Sequence, residues 1–201
     1  MSDFALDAER VRAAKVALRD QMITARRSLP EAVRHSADAS VQATTITWVR
    51  AQQPTVCAAY APVGREPGGG DLPDRLAEVC RVLLPVLLPD GDLDWAEYDG
   101  MKMRTRRGLL EPGGPRQGPE VIAEVPLIIV PALAVSRDGV RMGRGGGSYD
   151  RVLARAPQAR TVALLHDGEL LDTVPGEPHD QRVRAVVTPS GGLIETLGWT
   201  K

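Results

Sequence analysis

The run Arg141-Met142-Gly143-Arg144-Gly145-Gly146-Gly147-Ser148-Tyr149-Asp150 holds the densest chemistry in this sequence. Its closely spaced glycines let consecutive backbone N–H groups turn toward one point, and a helix starting just after them adds the positive end of its dipole. Such a loop can cradle phosphate, and Arg141 and Arg144 can add charge-assisted bonds to phosphate oxygens. The same composition also describes a plain mobile turn between strand and helix. No Gly-Lys-Ser/Thr closes the run, so it is not a Walker A loop, and the third glycine of the dinucleotide fingerprint is missing at its offset. Residues 146–150 fail as a nucleophile elbow, whose last position must be glycine, which disfavours a serine hydrolase.

Other side chains could converge on such a loop. Asp150 stands where loop becomes helix and can either cap that helix or ligate magnesium, which takes one or two carboxylates plus phosphate and water oxygens. Asp180, ending Pro175-Gly176-Glu177-Pro178-His179-Asp180, is a second candidate or a solvated loop residue. Lys15 and Arg19 lie four residues apart, so they share a helical face that can reach one polyanion or simply face water. Glu66 follows a strand in a Pro/Gly-rich loop, where a carboxylate can be aimed into a cleft at the carboxyl edge of a sheet or left on the surface. His35, His166 and His179 lack zinc-ligand spacing and no cysteines cluster with them, so no zinc site is expected.

These residues need elements to position them. Val11, Ala14, Leu18 and Met22 recur at helical spacing across 7–27, with Asp7 as cap and Arg12, Lys15 and Arg19 as a separate basic stripe. Ser28-Leu29-Pro30-Glu31 reads as a capping box opening a second helix to about residue 50. A short β-prone run over 55–60 breaks into the Pro/Gly loop, Asp71 can cap a helix over 71–82, and 83–88 reads as a buried strand before the Asp90-Gly91 turn. Residues 93–98 suggest an edge strand and 108–118 an irregular loop. The most apolar stretch, 125–135, predicts a central strand interrupted by Pro131; 150–156 predicts a helix. Residues 161–165 and 185–188 are apolar without alternation, as in strands covered on both faces. Strands alternating with helices predict an α/β three-layer fold.

With 201 residues and 43% hydrophobic content, the chain can bury one substantial core, and a single domain over 1–201 is expected: two N-terminal helices within 7–50, then an α/β core over 55–197. Basic and acidic side chains number 25 and 26, so no global field would draw it to nucleic acid or an anionic membrane. Only three of the basic residues are lysines (Lys15, Lys102 and Lys201); the arginine excess reads mainly as mutational bias. Charges through the first thirty residues argue against a secretory leader, and no apolar run approaches the ~20 residues of a membrane span. Cys57 and Cys80, apart in sequence and in apolar surroundings, are expected to be free buried thiols in a reducing cytosol.

Together these residues resemble the 5-formyltetrahydrofolate cyclo-ligase family, also called 5,10-methenyltetrahydrofolate synthetases. The resemblance runs through Lys15-x-x-x-Arg19, residues 60–66, Ile128-Ile129-Val130-Pro131-Ala132-Leu133-Ala134, residues 141–150, and Val174-Pro175 through Asp180 and Val183. It implies a three-layer α/β/α sandwich with a mostly parallel central sheet, similar to the sugar-phosphate isomerase and CoA-transferase group. It also implies an enzyme that uses ATP and Mg2+ to cyclise 5-formyltetrahydrofolate to 5,10-methenyltetrahydrofolate, releasing ADP and phosphate. Separately, the lack of a leader or span signal points to a cytoplasmic protein, and a monomer is expected.

By position, the resemblance implies that ATP is bound by Lys15, Val16, Ala17, Leu18 and Arg19 and by Arg141, Met142, Gly143, Arg144, Gly145, Gly146, Gly147, Ser148 and Tyr149. Ala61, Glu66, Arg144, Gly145, Gly146, Gly147 and Ser148 would line the folate site, Asp150 and Asp180 would hold magnesium, and Arg144 and Glu66 would act in catalysis. Two positions depart from the better-known pattern, a lysine or larger residue where Gly146 stands and a tyrosine where Ser148 stands. Two other readings follow at this stage: a sugar-phosphate isomerase that needs no ATP, and a binding module that keeps the pocket without turnover.

Overall fold

The computed structural model describes residues 3–104, 110–177 and 180–197. Of the expectations above, the start of the 108–118 loop, Pro178, His179 and Lys201 lie outside the described residues. The elements in chain order are α1 (Asp3–Ser28), α2 (Glu31–Gln52), β1 (Val56–Ala58), α3 (Leu72–Ala77), β2 (Arg81–Leu87) and β3 (Leu93–Glu97). Then follow β4 (Lys102–Arg104), β5 (Leu110–Pro112), a 3-10 helix (Pro119–Glu124), β6 (Leu127–Pro131), β7 (Ala134–Ser136) and β8 (Arg141–Met142). The chain continues through α4 (Ser148–Arg155), β9 (Arg160–Leu164), β10 (Leu170–Leu171), β11 (Ala185–Thr188) and β12 (Gly192–Glu195).

Seven strands form the central sheet in the order β12-β11-β9-β6-β1-β2-β3. The inner neighbours are all parallel, and only the outer pairs β11–β12 and β2–β3 are antiparallel. Alternate residues of the inner strands feed two cores. Ile128, Val130 and Ala163 point to the side of α4 and the 3-10 helix, whereas Ile129, Val162 and Leu164 point to α2 and α3. That two-sided coverage explains the unbroken apolar runs of β6, β9 and β11. Burying Ile128, Ile129 and Leu164, all 0% exposed, contributes about 1.5–3 kcal/mol per side chain. Both expected layers of helix are therefore present around a mostly parallel sheet. No described helix is long and apolar enough to cross a membrane.

Several local expectations give way to tertiary context. Helix α1 starts before Asp7, and its inner stripe is Lys15, Leu18, Met22 and Arg26, so charged and apolar residues share one face and Ala14 is exposed. Ser28 ends α1, its hydroxyl bonding back to the Ala25 carbonyl, and Pro30 precedes α2 with no side-chain cap, so the capping box does not form. The helix predicted over 71–82 stops at Ala77, because Arg81 and Val82 are drawn into the ladder with β1. The cap there is also only positional: Asp71 Oδ1 accepts from Gln42 Nε2 at 2.5 Å. The stretch 125–135 divides at Pro131 into β6 of the main sheet and β7 of a separate sheet ordered β10-β7-β8. Part of the predicted irregular loop is β5, hairpin partner of β4. Cys57 and Cys80 are both free, but Cys80 is only half-buried. The neighbouring Cys80 thiol and then burial push the Cys57 thiol up.

Candidate active site

Strand order runs outward in both directions from the β1–β6 boundary, which makes that boundary the topological switch point of the sheet. Crevices outside the carboxyl ends of strands at such a point are where open α/β sheets take ligands. Residues 60–66 leave β1 there, and Pro131, Ala132 and Leu133 leave β6. A cavity of ≈ 410 Å³ opens between them, within the range of small-molecule sites. Pro85 and Leu87 of β2, Leu93 of β3 and Leu110 of β5 give it one apolar wall. Lys15, Arg19 and Arg26 of α1, the segment 141–150, Glu177 and Asp180 give it a charged one.

The glycine segment is wound around two arginines rather than left mobile. Arg141, 5% exposed, emerges from β8 and donates from Nη2 to Asp150 Oδ1 at 2.9 Å, with its guanidinium 5.9 Å from the centre of the Tyr149 ring. A Cβ on Gly143 would come within 2.6 Å of Arg141 Nη1, so a side chain there would push the buried guanidinium off its bond to Asp150. Arg19 Nε donates to the Gly143 carbonyl at 3.1 Å and lies against Gly145, whose φ of +97° also favours glycine. Gly147, at φ +68°, caps α4, which leaves Asp150 in the first turn and not at the cap. Gly146 meets no tight neighbour: an added Cβ would have only Ser148 Oγ, at 3.6 Å, and space for a side chain remains.

Lys15 is not on a solvated face. Its ammonium, with a side chain 7% exposed, donates to Asp180 Oδ2 at 2.6 Å and Glu177 Oε2 at 2.8 Å. Burial alone would lower its pKa, but the bonds and charges of Asp180 and Glu177 prevail and hold it above the ordinary lysine range. Asp150 Oδ1 also accepts from the Gln181 backbone N–H at 3.3 Å, which ties the α4 end to the segment carrying Asp180. Arg26, one more step along the inner stripe of α1, forms a two-pronged pair with buried Glu169 at 2.7 and 2.8 Å and donates to the Ala132 carbonyl at 2.5 Å.

Across the cavity, Glu66 accepts from the Val63 N–H at 3.0 Å and pairs with Arg144 Nη2 at 3.1 Å. Arg144 is largely exposed, so this guanidinium is held at one end only. The Tyr149 hydroxyl is buried without a hydrogen-bond partner, and burial, then the Glu66 charge, raises its pKa and keeps it neutral. Ser148 reaches the cavity rim, but its hydroxyl donates to the Gly91 carbonyl at 2.5 Å. Arg151 bonds the same carbonyl, and Arg151 and Arg155 pair with Asp92, so α4 grips the β2–β3 turn.

Most of the anticipated residues meet in this cavity: Lys15, Arg19, Ala61, Glu66, Asp150, Asp180 and the whole of 141–149. Val16, Ala17 and Leu18 do not line it. Val16 and Ala17 point outward from α1, and Leu18 packs beneath with Met22 and Leu133, because only every third or fourth helical position faces the sheet. Sequence reasoning missed Arg26, Tyr60 and Glu177 as site residues. The spacing of Lys15, Arg19, Met22 and Arg26 carries a usable signal for the first. The apolar wall, drawn from three strands, carries none.

The sequence profile described as the 5-formyltetrahydrofolate cyclo-ligase family matches residues 11–189. The chain belongs to this family. The 5-formyltetrahydrofolate cyclo-ligase of Mycolicibacterium smegmatis is 43% identical over 188 residues, covering 90% of this chain and 96% of that protein. The Escherichia coli K12 cyclo-ligase is 34% identical over 116 residues, 55% of this chain and 64% of that one. In fold, the 5,10-methenyltetrahydrofolate synthetase of Aquifex aeolicus superposes with a TM-score of 0.78 at 23% identity, covering 93% and 95% of the two chains. The corresponding protein of Mycoplasma pneumoniae gives 0.69 at 17% identity, covering 86% and 96%.

Cyclo-ligase chemistry raises the question of a divalent cation. Among the described residues no three His, Cys, Asp or Glu side chains form a metal-holding group. Asp150 and Asp180 nevertheless line one cavity and are linked through the Gln181 N–H. Two hard carboxylates with an open cavity fit magnesium, which completes its shell from phosphates and water, better than a metal needing an all-protein cage.

Proposed function

We propose that this chain is an ATP-dependent 5-formyltetrahydrofolate cyclo-ligase, forming 5,10-methenyltetrahydrofolate, ADP and phosphate. One observation carries the reading beyond family membership. A single cavity is lined by a cationic glycine loop, an apolar wall and a held carboxylate, Glu66. The first suits a triphosphate, the second a pterin ring.

The chemistry starts from a poor leaving group, the formamide oxygen on N5. Transfer of the γ-phosphoryl to that oxygen breaks the β–γ bond of ATP and makes the oxygen a phosphate ester. N10 then attacks the formyl carbon, loses its proton, and the C–O bond breaks to release phosphate carrying the former formyl oxygen. No protein nucleophile is required. The protein's work is to hold the reactants in line and to meet the charge on the moving phosphoryl group.

In this reading Lys15, Arg19, Arg141 and the backbone N–H groups of 143–149 bind ATP. Arg144 has one face on Glu66 and a largely solvent-facing guanidinium that can swing to the transferring phosphoryl. Glu66 accepts from the nitrogens of the folate and orients it beside Ala61. Asp150 and Asp180 would hold magnesium, whose contribution is neutralisation of phosphate charge. Ser148 acts through the β2–β3 turn, and Gly146 leaves room at the folate side. The whole chain works as one domain, since α1 supplies Lys15 and Arg19 to a cavity built on the sheet. A cytoplasmic monomer acting on a small molecule completes the reading, and the net charge of −1 supports the expectation of no nucleic-acid partner.

Mixing the protein with 5-formyltetrahydrofolate, ATP and Mg2+ and following the methenyl absorbance tests this directly. Product that depends on ATP supports the cyclo-ligase. Absence of product, with folate and ATP still bound, favours the binding module, and a substrate turned over without ATP favours the isomerase chemistry first suggested by the glycine loop.

A further inference from the structure

The Lys15 ammonium lies between two carboxylates, 2.6 Å from Asp180 Oδ2 and 2.8 Å from Glu177 Oε2, and all three side chains are at least four-fifths shielded from solvent. Asp180 Oδ2 accepts the Glu177 N–H as well, at 2.6 Å. The other oxygen of Glu177 faces Arg12 at 3.6 Å, from a side chain 74% exposed. Lys15 is thus a buried cation shared by this acidic pair. In the reading above, Asp180 is required by a divalent cation and Lys15 by the nucleotide's phosphates. An ammonium 2.6 Å from Asp180 Oδ2 repels a divalent cation at the same carboxylate, so metal binding there is weakened for as long as Lys15 stays in place.

We infer that Lys15 is an internal stand-in for the divalent cation, held on Asp180 by Glu177 until a nucleotide phosphate draws the ammonium away from Asp180. The inference rests on the assignment of Asp180 as a metal ligand. Once phosphate arrives, Asp180 is released to the metal, while Glu177 keeps a hold on the ammonium and sets its reach. Glu177 is therefore a positioning residue for Lys15. Metal and nucleotide binding become positively coupled, and by linkage each must tighten the other by the same factor.

The test uses the full chain and Mn2+ as the probe, its free concentration read by electron paramagnetic resonance with and without ADP. Without nucleotide, Lys15→Met should bind Mn2+ roughly ten-fold or more tightly than the parent. Addition of ADP should then give a smaller further gain than it gives the parent. Lys15→Gln, which keeps a donor for one carboxylate and preserves folding if the methionine variant does not, should fall between. Adding Asp180→Asn to either variant should abolish the gain. Nucleotide-free Mn2+ affinity within about two-fold of the parent in the folded variants, or a gain that survives Asp180→Asn, overturns the inference. Methenyl formation by the parent preparation separates this from the catalytic reading. Product with unchanged Mn2+ affinity sinks the stand-in alone, whereas no product sinks the catalytic reading whatever Mn2+ does.

Discussion

Removing the Glu169 carboxylate tests how the cavity floor is held. Glu169 accepts two bonds from Arg26, at 2.7 and 2.8 Å, and one from the His166 N–H at 2.8 Å, with Arg26 and Glu169 side chains each 6% exposed. In Glu169→Ala the Arg26 guanidinium keeps only the Ala132 carbonyl among these partners and cannot lose its proton, so an uncompensated charge stays buried. Such a loss costs about 3–5 kcal/mol. For a chain of this length, each kcal/mol moves the midpoint by roughly 2–4 °C, so the melting temperature should fall by roughly 6–20 °C. Urea unfolding followed by circular dichroism, with the thermal melt beside it, measures both. The double variant Arg26→Leu, Glu169→Leu removes both charges and should lose less than Glu169→Ala, because nothing charged is stranded. A Glu169→Ala loss below about 1 kcal/mol, the range of solvated pairs, would refute the buried-pair argument.

Other outcomes follow from the site's geometry. Gly145→Ala forces a side chain onto φ +97° against Arg19 and should cost about 1–3 kcal/mol in transition-state stabilisation, roughly five- to 150-fold in kcat/KM. Gly146→Ala, with space around it, should stay within about three-fold in the same kinetics. Lys15→Ala should raise KM for ATP more than KM for folate in steady-state assays varying each substrate; equal small changes would return Lys15 to a structural role. The hydrogen bonds from Arg155, strengthened by the charges of Arg155 and Arg151, hold the Asp92 pKa below its ordinary value. A carboxyl depressed on folding stabilises above its unfolded pKa of about 3.9 and loses that contribution as pH falls through the folded value. Asp92→Asn should therefore be less stable than the parent near neutrality, with the gap closing in melts taken below about pH 3.9.

How far the sequence carried the reading depends on the range of the forces involved. The apolar runs of β9 and β11 and the long helices α1 and α2 were legible because their patterns are local. So was the glycine loop, although its reason is not: a Cβ on Gly143 would come within 2.6 Å of the buried Arg141 guanidinium, and Gly145 takes a φ of +97°. The burial of Lys15 had no local signature, since its partners Glu177 and Asp180 lie more than 160 residues away. The small sheet of β10, β7 and β8 was also hidden, as strands of two or three residues leave no periodicity. Pro131 marked a break, but whether the chain resumed in the same sheet was decided by packing of Leu133 and Ala134 against α1.

The central chemical claim is that ATP activates the formyl oxygen of the folate. Turnover of 5-formyltetrahydrofolate carrying ¹⁸O in the formyl group, with the released phosphate examined by mass spectrometry, tests it at the atom concerned. Each phosphate formed alongside methenyl product should carry one ¹⁸O. Methenyl product accompanied by unlabelled phosphate, with the ¹⁸O recovered in water, would contradict it.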